Sequence, residues 1–101
     1  MTEVALIDAE SVPTGTSAEV VANGRIFAVF NVDGVFYVLD GICPHAGGPL
    51  GKGTLCGNIV TRPWHGWQFD VSTGQHCLNQ RLHQTRYEAR IEGGKVVAEI
   101  G

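Results

Sequence analysis

Apolar positions fall in short runs separated by turn-forming residues, and the runs read as strands. Val4–Ile7 is a short apolar run, and the polar stretch Asp8–Thr16, with Pro13 and Gly15, reads as a loop. Glu19–Ala22 and Arg25–Asn31 flank Asn23-Gly24. That dipeptide tolerates positive φ at both central positions of a tight turn, so a hairpin is expected here. Ile26-Phe27-Ala28-Val29-Phe30 is apolar without a break, the pattern of a strand buried on both faces. Asp33-Gly34 makes the next turn and Val35–Leu39 the partner strand, giving a meander. No segment sustains helical periodicity, and Ser17–Ala22 is too short for a helix and β-branched near its end.

Further on, Gly51, Gly53 and Gly57 punctuate a second hairpin whose return strand is Asn58–Thr61. Trp67–Val71 then alternates, with Trp67 and Phe69 on one face and Gln68 and Asp70 on the other. Both aromatics are expected in the core. Thr73-Gly74 turns the chain. From Thr85, Arg86, Glu88 and Arg90 alternate with Tyr87, Ala89 and Ile91, the signature of a half-exposed strand. Gly93-Gly94 turns again, and Lys95–Ile100 is the last strand. The expected architecture is a single antiparallel all-β domain over 1–101. Its base is 1–40 and 78–101, and a smaller loop-bearing subdomain, 41–77, is inserted.

Composition narrows the functional classes. The 101 residues suffice for one compact core, and 44% apolar with 17% charged residues argues against disorder. A net charge of −3 with no basic cluster argues against a nucleic-acid partner. No run of about 18 apolar residues offers a membrane span. Met1-Thr2-Glu3-Val4 lacks the basic and apolar segments of a secretory signal, so the cytoplasm is the default location. The three cysteines show no pairing pattern, and Cys56 and Cys77 read as structural thiols. His76 and His83 sit in polar surroundings and read as surface residues.

The chemistry-bearing stretch runs from Cys43 to Asp70. It contains Cys43-Pro44-His45-Ala46-Gly47-Gly48-Pro49-Leu50 and, after a Gly-rich connection, Arg62-Pro63-Trp64-His65-Gly66-Trp67-Gln68-Phe69-Asp70. These two segments resemble the paired cluster-binding loops of the Rieske [2Fe-2S] family, Cys-x-His followed by Cys-x-x-His. The fold implied is a Rieske-like antiparallel β-sandwich with an inserted cluster-binding subdomain. In such a centre one iron takes two thiolates and the other two imidazoles. The resemblance places Cys43 on the thiolate iron and His45 and His65 on the imidazole iron. Prolines stiffen such loops, and glycines at 47, 48 and 66 free backbone N–H groups to face sulfur. The positions that form a disulfide in respiratory-complex relatives are Gly48 and Trp64 here, so the likeness is to the ferredoxin and oxygenase-associated type.

One position departs from the pattern. Where the family has its second cysteine, this chain has Arg62. A guanidinium stays protonated and has no lone pair to donate, so it cannot ligate iron. Cys56 is no evident substitute: an extended 57–61 would hold it roughly 20 Å from position 62. Three functions follow. The leading one is a one-electron carrier between a flavin-dependent reductase and a terminal oxygenase, as the resemblance implies, with its [2Fe-2S] site disabled by Arg62. It is not itself an enzyme, since the chain is too short for an oxygenase catalytic domain. The second is a cluster-free binding or structural subunit, like the small subunit of some nitrite reductases. The third is a mononuclear site in which Cys43, His45 and His65 hold one metal ion such as zinc.

Overall fold

The computed structural model describes residues 3–41, 53–61, 68–74 and 85–100. Within them nine strands form two sheets. The strands are β1 (Glu3–Asp8), β2 (Ser17–Ala22), β3 (Arg25–Val32), β4 (Val35–Asp40), β5 (Thr54–Cys56), β6 (Ile59–Thr61), β7 (Gln68–Asp70), β8 (Arg86–Glu92) and β9 (Lys95–Glu99). A single 3₁₀ turn, Ala9–Ser11, interrupts the loop after β1. The larger sheet has the order β1-β9-β8-β4-β3-β2, and its two edge strands approach one another, so it curls toward a barrel. The smaller sheet is β5-β6-β7, and every pairing is antiparallel.

The hairpin turns form where the sequence places them. Asn23 and Gly24 have φ of 52° and 70°, and Asp33 and Gly34 have 51° and 88°, so both turns use two left-handed residues. Between them, β3 is buried on both faces, as its unbroken apolar run requires. Phe27 and Val29 join Val12, Val38, Val96 and Ala98 in one core cluster. Ala28 and Phe30 join Leu39, Val60, Phe69 and Val71 in the other. The second cluster is where the small sheet packs on the large one, so β3 and β4 form the shared wall.

Two expectations change. Ile91, predicted to face inward, is 49% exposed. β8 pairs with β4 only at Arg86 and Tyr87, so toward the Gly93-Gly94 turn it is flanked by β9 alone among the described residues. Cys56 is a free, exposed thiol in β5 rather than a packed one. Trp67, Cys77, His76 and His83 lie outside the described residues, whereas Phe69 is fully buried as expected.

Candidate functional site

Cys43, His45, Arg62 and His65 all lie outside the described residues, together with Pro44, Pro49, Trp64 and the glycines at 47, 48 and 66. What the structure defines is the frame in which the two segments carrying them are rooted. Among the described residues, no three His, Cys, Asp or Glu side chains converge as a metal site.

The segment 62–67 springs from the β6–β7 hairpin. Thr61 is paired with Gln68, and Gln68 Nε2 donates to Thr61 Oγ1 at 3.2 Å. One step back, Val60 pairs with Phe69, and both are fully buried against Ala28, Phe30 and Leu39. Burial of this pair anchors the stem to the large sheet. The far end of β7 is closed by Asp70, whose Oδ1 accepts from Ser72 N at 2.9 Å and Ser72 Oγ at 2.6 Å. Its carbonyl accepts from Gly74 N at 2.6 Å, and Val71 N donates to Asn58 O at 2.8 Å. Six residues are therefore held between directly paired ends, which keeps both ends of that segment on adjacent strands.

The segment 42–52 leaves from the end of β4. Asp40 N donates to Thr85 O and Gly41 N to Ile26 O, both at 2.9 Å. Tyr87 Oη donates to Asp40 Oδ1 at 2.6 Å. Burial and the Asp40 carboxylate push the Tyr87 phenol up to about 12, with Arg25 partly offsetting them, so it remains a protonated donor at neutral pH. Gly24, Arg25, Ile26, Asp40 and Tyr87 line an open cleft of about 450 Å³ at this root. At the other end of the segment, Ser17 Oγ lies 3.5 Å from Gly53 O.

The hairpin also revises the distance argument for Cys56. The Gly57-Asn58 turn doubles the chain back, so Cys56 pairs with Ile59 and shares the face of Thr61. Ladder spacings put its Cα roughly 9 Å from that of Thr61, where a fully extended chain would put it roughly 17 Å away. It nonetheless sits at the turn end of the hairpin, away from the Thr61–Gln68 end where position 62 begins.

Comparison with known proteins gives these positions a context. Residues 2–88 match the Rieske [2Fe-2S] domain family. The ferredoxin component of the p-cumate 2,3-dioxygenase system of Pseudomonas putida is 33% identical over 78% of this chain and 69% of its own. The Sphingomonas yanoikuyae B1 ferredoxin structure is 31% identical, with a TM-score of 0.89 over 99% of this chain and 100% of that one. A structure of oxygenase in complex with ferredoxin from carbazole 1,9a-dioxygenase matches at 28% identity and a TM-score of 0.86, covering 95% and 91% of the two chains. A nitrite reductase small subunit from Mycobacterium tuberculosis, at 19% identity and a TM-score of 0.87 over 99% and 96% of the chains, shares the fold.

Proposed function

The chain belongs to the Rieske [2Fe-2S] domain family, and from that membership we propose that it is the ferredoxin-type component of an oxygenase system. Its role is one-electron transfer in the cytoplasm between a flavin-dependent reductase and a terminal oxygenase, and it is no enzyme by itself. The observation that carries this reading is similarity to ferredoxin components over most of both chains, backed by a solved oxygenase–ferredoxin complex of like fold. We read 41–77 as the cluster-binding subdomain on a base of 1–40 and 78–101.

When bound, the family's cluster supplies a one-electron couple, held by two thiolates and two imidazoles. Cys43, His45 and His65 offer three of those donors. The fourth position is Arg62, whose cationic guanidinium has no lone pair and would set a positive charge where a thiolate belongs. The donor set does not fit the cluster. The proposed state of this chain is therefore a carrier scaffold, complete in frame and disabled at one ligand. Cys56 is not proposed as the missing donor: it pairs with Ile59 at the turn end of the hairpin, away from the Thr61–Gln68 end that position 62 follows.

The test is reduction by a flavin-dependent reductase and delivery to the oxygenase, compared between the native chain and Arg62→Cys. Transfer by Arg62→Cys alone supports the proposal. Turnover supported by the native chain overturns the disabling. A cluster-loaded Arg62→Cys that no such reductase reduces overturns the carrier role. The cluster-free subunit is the second reading, favoured by Arg62 itself, and the nitrite reductase likeness supports it at the level of fold alone.

A further inference from the structure

We propose that Tyr87, acting through Asp40 beside Gly41, is a positioning residue that sets where the chain leaves β4 toward Cys43 and His45. The inference rests on the reading of those two residues as donors.

The β4–β8 ladder is short, with Val38 opposite Tyr87 and Leu39 opposite Arg86. One further hydrogen bond, Asp40 N to Thr85 O, extends it. At the next residue the chain changes partner, and Gly41 N turns to Ile26 O on β3. That approach leaves no space for a side chain. A Cβ on Gly41 would lie 2.5 Å from Ile26 Cγ2 and 3.0 Å from both the carbonyl carbon and oxygen of Ile26. The switch is thus a close backbone contact, and the residue before it is held from the side by the phenol.

The hydroxyl of Tyr87 is not needed to fill the core. Its ring already meets the fully buried Phe27 edge-on, with centroids 5.3 Å apart and planes at 74°. The Oη instead reaches across to Asp40 Oδ1 at 2.6 Å, just where regular pairing ends. Arg25 lines the same cleft, so the Tyr87–Asp40 bond forms a strut beside a cationic side chain. Only Ile42 separates Gly41 from Cys43. A swing at Gly41 is carried into the residues that follow it, with a lever arm of up to ~3.3 Å per residue. Donor sets need positions held within about 0.5 Å. A strut at residue 40 is placed to limit that swing.

Hydrogen exchange followed by mass spectrometry on the full native chain tests this without any metal. Tyr87→Phe keeps the ring and removes the hydroxyl. Exchange over 40–52 is expected to speed up about tenfold, while 62–67 stays within a factor of about two of native. Asp40→Asn retains an oxygen acceptor and is expected to behave as native over 40–52. Asp40→Ala is expected to match or exceed Tyr87→Phe, and the double variant to go no further than Asp40→Ala. Acceleration spread equally over both segments would mean that Tyr87 supports only global stability, and overturns the proposal. No change over 40–52 in Tyr87→Phe overturns it too. A failure of the disabled-ligand reading shows instead in metal content, which this experiment does not use.

Discussion

Asn31 is the one polar side chain buried in the core among the described residues, and both ends of its amide are used. Nδ2 donates to Val12 O at 2.8 Å, and Oδ1 accepts from Gly34 N at 2.8 Å. It ties the loop after β1 to the β3–β4 turn. Asn31→Leu would strand a carbonyl and an N–H, so chemical denaturation should show a loss of about 2–4 kcal/mol. Tyr87 gives a pH signature. Its phenol titrates near 10 when unfolded and at about 12 in the fold. The raised value means the stabilisation is whole below pH 10 and is lost as pH climbs from 10 to 12. Denaturation across that window should show this decline in the native chain and a flatter one in Tyr87→Phe. The Asn23-Gly24 and Asp33-Gly34 turns were legible because their cause is local, the φ each residue tolerates. Asn31 was not, because its partners lie 19 residues before it and in the following turn. The Tyr87–Asp40 bond spans 47 residues and leaves no local trace either.

The strands explain how a small sheet can be held by few residues. β5, β6 and β7 have three residues each, and the small sheet docks on β3 and β4 through Val60 and Phe69, with Val71 buried beside them and Leu55 packed against the cluster. Phe69→Ala should therefore cost about 3–5 kcal/mol by chemical denaturation. It should also raise hydrogen exchange in β6 and β7 more than in β8 and β9. Val21→Ala, at a site 71% exposed on β2, should change stability by less than about 0.5 kcal/mol. Periodicity found these elements because period-two patterning and unbroken apolar runs are imposed by burial on one or two faces. It misjudged Ile91, since alternation marks the inward face of a strand but not where the covering strand ends.

At the scale of the molecule, two sheets share the β3–β4 wall, and the segments 42–52 and 62–67 are rooted in that assembly. One springs from the Thr61–Gln68 pair and the other from Gly41 on Ile26. The family was legible from two short motifs, because ligand chemistry fixes residue types and spacing more tightly than packing does. The roots were legible only as strand ends, and the Tyr87–Asp40 bond beside the Gly41 root came from tertiary structure. Arg62 is proposed to disable the site by its chemistry, a protonated guanidinium with no lone pair to donate. The decisive measurement is iron, labile sulfide and the visible spectrum of native and Arg62→Cys proteins purified side by side under anaerobic conditions. The account predicts a colourless native chain without labile sulfide, and a brown Arg62→Cys with about two irons and two sulfides per chain. A native chain that carries that same iron and sulfide would contradict it.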